Sequence, residues 1–422
     1  MFLLRLTLSS LGNRRFTVLL TALAIALSVA LLLAVERVRT EARASFASTV
    51  SGTDLIVGAR SGSVNLLLYS VFRIGNATNN IHWDSFQHFA GHPRVRWAIP
   101  LSLGDSHRGY RVLGTNQTYF HHYRHGRQQL LEFDQGRHFS RNDPFEVVLG
   151  AEVARTLGYA LGDELVLAHG VATVNLLKHD DKPFTVVGIL QRTGTPVDRT
   201  LHISLAGMEA LHLGWQQGMP PRGAAQVGAE AARAMDLTPR SITAFMLGLD
   251  SRIATFTLQR EINNYRGEPL LAILPGVALQ ELWSLMNTAE KALFVVSLFV
   301  VIVGLIGMLA AILTGLNERR REMAILRSVG ARPWQIAGLL MSEALALALA
   351  GVSGGLALLY LGIALAQSHL QSAYGLYLPL RAPSSYEWTL MGAILLAALL
   401  IGSVPAWRAY RQSLADGLSI RL

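Results

Sequence analysis

The sequence predicts a membrane protein with four transmembrane α-helices and a large α+β extracytoplasmic domain between the first and the second. Three observations carry this. Of the 422 residues 51% are hydrophobic and only 15% are charged, which is too apolar for a soluble domain of this size. Four apolar runs, at 16–35, 289–316, 336–365 and 388–404, have the length that crosses a hydrocarbon core of about 30 Å. The stretch between the first two runs, 36–288, is polar and of domain size.

The first run follows a short amphipathic segment, residues 1–15, that ends in Arg14 and Arg15. A cleaved signal peptide has an apolar core of about 7–15 residues followed by a small-x-small site. Here Phe16–Val35 is longer and ends in Ala34-Val35-Glu36 without that site, so the run reads as a retained span. Its helix is expected to continue to about Phe46.

The outer stretch alternates short strands and helices. Strands are expected at Asp54–Gly58, Trp97–Leu103, Tyr110–Leu113, Val147–Leu149, Glu164–Ala168, Phe184–Leu190, Leu201–Ser204, Ile242–Leu249 and Leu270–Leu274. Helices are expected at Trp83–Phe89, Ala151–Leu157, Ala206–Leu213 and Ser251–Tyr265. Residues 215–239, rich in Gly, Gln, Pro and Ala, read as a loop. Mixed short elements of this kind mean α+β. Gly276–Thr288 reads as a helix leading into the second span.

Beyond the second span, residues 317–335 form a basic connector with Arg319, Arg320, Arg321, Arg327 and Arg332 against few acids. So basic a segment between two spans stays in the cytoplasm. Met323, Leu326 and Val329 recur at helical spacing with Ile325 beside them. Gly330 is placed to end that helix and Pro333 to begin the next. Periodicity leaves two readings open: a helix whose apolar stripe docks in a groove on a cytoplasmic partner, or one lying on anionic lipid through its arginines. In the third span, Glu343 is costly at depth and either snorkels or pairs with an arginine. Gly351 and Gly355 allow close helix packing, first within the chain and secondarily between subunits. The loop 366–387 has a single arginine, Arg381, and residues 405–422 form an arginine-bearing tail. Arginine placement puts both termini and the connector inside and the large domain outside.

The run NERRREMAILRSVGARPWQI resembles the segment after the second span in MacB/LolC/FtsX-type permeases, the membrane subunits of mechanotransmitting ABC systems. Asn317, Glu318, Arg319, Glu322, Ile325, Leu326, Arg327, Gly330 and Ala331 fall on the recognisable positions. The pieces DLIVGA and VVLGAEVARTLGY are similar to the MacB-like periplasmic domain, and the P-A-x-R-A tail is a further likeness. The resemblance implies that Glu318, Arg319, Glu322, Met323, Ile325, Leu326, Arg327, Val329 and Gly330 couple to a cytoplasmic ABC ATPase. It also implies two outer subdomains, about 47–118 with 240–275 and 119–239, and a second permease copy as a homodimer partner. It implies a bacterial inner membrane location, and it allows a periplasmic lipoprotein or adaptor as a further partner.

The net charge of +9 is explained by arginines at span ends, with no aromatic-basic interleaving, so no nucleic acid is expected. Contact with membrane lipids is expected throughout. The absence of cysteine excludes a disulfide framework and thiolate chemistry. No P-loop, H-E-x-x-H or G-x-S-x-G occurs. The expectation is therefore a non-enzymatic chain that binds no cofactor itself, ATP and Mg²⁺ belonging to the partner ATPase. Twelve of thirteen histidines lie in the outer domain. His121 and His125 have the i, i+4 spacing that suits a metal on a helix, with His122 beside them and His179-Asp180-Asp181 elsewhere. No further ligand is placed by spacing, so an exposed His-rich loop is the plainer reading. The expected function is transmission of ATP-driven motion to the outer domain, for export or extraction of a lipoprotein, peptide or amphiphile. The alternatives are FtsX-like activation of a periplasmic cell-wall hydrolase and periplasmic metal handling.

Overall fold

A computed structural model describes residues 14–49, 51–169, 181–213, 227–318, 323, 325, 327–374 and 378–411. The chain divides into two compact units. One comprises residues 1–41, 287–370 and 377–422; the other comprises 42–286 and 371–376.

The first unit is built on four helices, Arg15–Thr49, Pro275–Glu318, Pro333–Tyr374 and Ser385–Arg411. Each contains a stretch long and apolar enough to cross a membrane. All overrun the limits that hydropathy sets. The first passes Val35 and runs to Thr49, the third passes Leu365 into the segment expected as loop, and the fourth holds Pro405 inside it. Hydropathy marks only the apolar part of a helix, whereas the backbone ladder continues through polar residues.

Small residues bring these helices together. Ser28 Oγ donates to Val300 O at 3.2 Å, and a Cβ on Gly304 would stand 3.0 Å from that hydroxyl. A Cβ on Gly351 would meet Ile25 Cγ2 at 2.4 Å, and one on Gly355 would meet Ala26 O at 2.8 Å. Both glycines thus face the first helix of the same chain. Gly402 does the same for the third and fourth helices, where its Cβ would meet Ala344 Cβ at 2.6 Å. Without a hydrophobic drive between helices in lipid, such backbone approach supplies the dispersion contacts that hold the bundle.

The second unit is organised on one sheet. Its strand order is Leu270–Ile273, Leu55–Ala59, Ala244–Leu249, Val95–His107, Tyr110–Thr115, Thr200–Ser204, Glu146–Leu149, Phe184–Leu190 and Phe133–Gly136. Two pairings are parallel: Thr200–Ser204 with Tyr110–Thr115, and Phe184–Leu190 with Glu146–Leu149. The register Arg111↔Thr200 to Thr115↔Ser204 joins strands of the two segments expected as subdomains. One apolar core crosses that seam, with Ile56, Leu101 and Leu113 in the same cluster as Val148 and Leu190, and two further cores flank it. Leu55, Val57, Phe245 and Leu258 belong to one; Val147, Val186, Leu201 and Ile203 belong to another. The turn before Tyr110 uses Arg108 and Gly109 at φ 47° and 87°, the pair of positive values a tight hairpin needs. The expected loop 215–239 contains a short helix, Ala229–Arg233; residues 214–226 lie outside the described residues.

Candidate coupling site and the outer-domain histidines

The connector ends as its glycine and proline require. Gly330 takes φ 103°, the left-handed region that costs glycine little. Its N–H donates to Arg327 O at 3.1 Å and that of Val329 to Ile325 O at 3.1 Å. Pro333 then opens the third helix. Arg332 N donates to Gln335 Oε1 at 2.8 Å, and Gln335 N returns to Arg332 O at 2.9 Å, which satisfies donors a helix start leaves over.

The expected single stripe is divided. Met323 is buried, at 7% exposure, while Ile325 is 58% and Val329 82% exposed. The helix closes at Ser328, so Val329 sits in the turn rather than on the helical face. With Trp334, also exposed, Ile325 and Val329 leave apolar side chains in the open around the corner. Arg327 is half-buried. Glu318 ends the second helix. Arg319, Glu322 and Leu326 lie outside the described residues. Arg14 Nη2 donates to Gly315 O at 3.1 Å, near the end of that helix, where the last carbonyls have no partner of their own in the helix. Glu343 is buried against protein rather than reaching outward, and it lines a small enclosure with Arg14, Thr21 and Gly315.

Sequence reasoning missed a polar group elsewhere in the same unit. Arg37 makes a two-point contact with Glu387, Nε to Oε1 and Nη2 to Oε2, both 3.1 Å. The guanidinium lies over the Tyr360 ring at 5.2 Å from its centroid, and Tyr360 OH donates to Arg381 O at 2.6 Å. Arg381 Nε reaches Glu41 Oε1 at 2.8 Å. The signal was present in Ser384-Ser-Tyr-Glu387, a capping box. Ser384 N donates to Glu387 Oε2 at 2.6 Å, and Glu387 N to Ser384 Oγ at 3.2 Å.

The outer-domain histidines pack as aromatic side chains. The helix Thr118–His122 closes before Tyr123, which is extended, so His121 and His125 do not share a helical face. His121 meets His138 edge-on at 5.5 Å, and His122 stacks on Trp97 at 5.7 Å with 11° between the planes. His125 is buried in the short strand Arg124–His125. Asp181 holds Lys182 Nζ at 2.8 Å; His179 and Asp180 lie outside the described residues. Among the described residues no three His, Asp or Glu side chains stand where they could hold one ion. His202 is fully buried beside Tyr119 and Phe120, and burial pushes its pKa down to about 3, so it is neutral.

Comparison with known sequence families decides the identity of this architecture. The MacB-like periplasmic core domain matches residues 17–263, and the FtsX-like permease C-terminal domain matches residues 294–414. The chain belongs to the MacB/FtsX-type ABC transporter permeases. Among solved structures, the periplasmic region of MacB from Actinobacillus actinomycetemcomitans is 12% identical, with a TM-score of 0.36, over 56% of this chain and 97% of that one. The extracellular domain of the noncanonic ABC-type transporter YknZ from Gram-positive bacteria is 12% identical, with a TM-score of 0.31, over 52% of this chain and 99% of that one. At such scores the family assignment rests on the two domain matches. No curated protein matches the chain. As a MacB/FtsX-type permease the chain is a membrane protein, and its family implies a cytoplasmic ABC ATPase as partner.

Proposed function

We propose that this chain transmits ATP-driven motion from a cytoplasmic ATPase to its extracytoplasmic domain, for export or extraction of a lipoprotein, peptide or amphiphile. The observation that carries this reading is the corner at Gly330, where Ile325, Val329 and Trp334 are left exposed on a basic connector. Exposed apolar side chains beside a helix-ending turn are the form a docking element takes. In this reading the connector residues 318–330 are the ATPase contact. ATP and Mg²⁺ bind the partner, and this chain performs no chemistry. Two copies assemble in a bacterial inner membrane with both termini in the cytoplasm. The continuous helix Pro275–Glu318, which ends at the connector, is the element suited to carry the motion.

The test is reconstitution. The chain purified with its ATPase in lipid nanodiscs is expected to change the rate of ATP hydrolysis, and a chain whose 317–330 connector is replaced by a Gly-Ser linker is expected neither to do so nor to co-purify with the ATPase. Unchanged hydrolysis and co-purification with the replaced connector would remove the coupling role from this segment.

A further inference from the structure

The outer domain carries a polar groove of about 710 Å³, within the size range of small-ligand sites. It lies where four separate pieces of chain meet: Gly52 to Asp54, Arg96 and Trp97, His122 to Gln128, and Leu249 with Asp250. Two glycines make room for its principal side chains. A Cβ on Gly248 would stand 2.0 Å from the Trp97 ring, and a Cβ on Gly52 would stand 3.1 Å from Arg124 Cγ. The indole is therefore seated on one glycine and the arginine stem on the other. Gln128, on the rim, holds φ 62°, a left-handed conformation that non-glycine residues seldom adopt outside turns and functional sites.

The charges in the groove are unequal in their freedom. Asp54 Oδ2 accepts the Leu249 N–H at 2.7 Å, so that carboxylate serves the fold. Among the described residues Arg124 Nη1 makes only a long contact, 3.4 Å, with Gln128 O. Arg96 and Asp250 are exposed. His122 is held below the ordinary histidine range by burial and by His121, Arg124 and Arg96, so it contributes an uncharged ring to the Trp97 stack. The groove thus holds two guanidiniums with two carboxylates, Asp54 fixed by a backbone N–H and Asp250 exposed, beside the Trp97–His122 ring stack. Guanidinium is the group that binds a carboxylate at two points.

We infer that this groove binds the free C-terminal carboxylate of a peptide, held by Arg96 and Arg124, with the terminal side chain against the Trp97–His122 stack. This deepens the transport reading, on which it rests, by naming peptide as the substrate class of the outer domain.

The experiment is calorimetric titration of the full-length chain in detergent with N-acetyl-Ala-Ala-Phe as the free acid and as the amide. The free acid is expected to bind, and the amide about tenfold or more weaker, since it loses the charge-assisted hydrogen bonds. Arg96→Gln, at an exposed position, and Arg124→Gln are each expected to erase the difference between acid and amide. Equal binding of acid and amide, no binding of either at millimolar concentration, or full discrimination in both variants would overturn the assignment. Vesicles of anionic phosphatidylglycerol are the further arm: binding that Arg96→Gln abolishes, with no binding of the peptide acid, would assign the groove to lipid and overturn the peptide. ATP hydrolysis by the parent chain with its partner, measured on the same preparations, reports separately on the coupling reading: a parent chain that changes hydrolysis but does not tell the acid from the amide overturns the groove assignment alone.

Discussion

Arg37 and Glu387, 350 positions apart, meet through two hydrogen bonds of 3.1 Å with their side chains only 1% and 2% exposed. They tie the first helix of the membrane unit to the start of the fourth. A bidentate guanidinium–carboxylate contact in such a setting is specific in geometry, but its net contribution is limited by the cost of taking both charges from water. What it does strongly is penalise the loss of either partner.

Replacing Arg37 by Met is therefore expected to destabilise the chain by about 3–5 kcal/mol, because it strands a buried carboxylate. Arg37→Met with Glu387→Gln is expected to recover most of that loss. Glutamine also keeps the capping contact with Ser384 N that the helix start uses. Thermal unfolding of the three proteins in detergent measures this. A single mutant as stable as the parent would contradict the burial of the pair.

A second expectation follows from the glycines. Gly351→Val places carbon where Ile25 Cγ2 already stands, 2.4 Å away, so the first and third helices must separate. Overpacking of this kind costs about 1–3 kcal/mol. Ile25→Ala in the same chain removes the opposing methyl groups and is expected to restore part of the stability and the yield of folded protein in detergent. Equal yields of Gly351→Val with and without Ile25→Ala would show that the contact does not set helix separation.

The connector gives a third. Val329 is exposed in the chain alone, so Val329→Asp is expected to leave folding and membrane insertion unchanged. If the corner docks on the ATPase, the new carboxylate is buried there without a partner, at a cost of several kcal/mol. At about 1.4 kcal/mol per tenfold, the complex loosens about a hundredfold or more. Ile325→Asp is expected to act in the same direction, and Arg327→Ala to do much less. On a lipid-surface role the order reverses, with arginine loss weakening attachment to anionic bilayers and ATPase co-purification surviving Val329→Asp.

A fourth concerns pH. Burial opposes charge on His212, but Asp105 Oδ2 lies 3.5 Å from Nε2, Met208 O lies 2.9 Å from Nδ1, and the Glu209 carboxylate is near. These together hold His212 above the ordinary value of 6.5. With the folded value raised, the histidine's contribution is fully present below about pH 6.5 and is lost as pH rises through the folded value. The stability difference between the parent and His212→Gln is therefore expected to be larger at pH 6 than at pH 9. A difference that is constant, or that grows with pH, would contradict the ion pair.

The fifth is topological and uses the absence of native cysteine. Asn79→Cys and Ser328→Cys both lie at exposed positions. An impermeant maleimide applied from outside the cell is expected to label the first, once the outer envelope is permeabilised, and not the second. The opposite pattern would overturn the proposed orientation.

Several of these features were legible in the sequence because they depend on neighbours along the chain. Span positions follow from local hydropathy, and the helix end at Gly330 with a restart at Pro333 follows from backbone chemistry that a single residue carries. The strands Tyr110–Thr115, Phe184–Leu190 and Ala244–Leu249 were readable from their β-branched and apolar runs. The expected stripe of Met323, Leu326 and Val329 is divided, Met323 buried and Val329 exposed, because the helix already closes at Ser328 and Val329 belongs to the turn; Leu326 lies outside the described residues. The histidine spacing failed for the same reason, the helix closing at His122.

By itself, then, the sequence determined the number of spans, the α+β character of the domain between the first two, the basic connector and the family likeness, since all of these are properties of contiguous residues and their solvent. Only the tertiary structure decided that Gly351 and Gly355 serve the first helix of the same chain and that Arg37 finds Glu387. It also decided that Arg96 and Arg124 line one groove with Trp97. Those relationships join residues distant in sequence, and what selects them is packing: a missing Cβ, a buried charge that requires its opposite, and a ring that needs a flat neighbour.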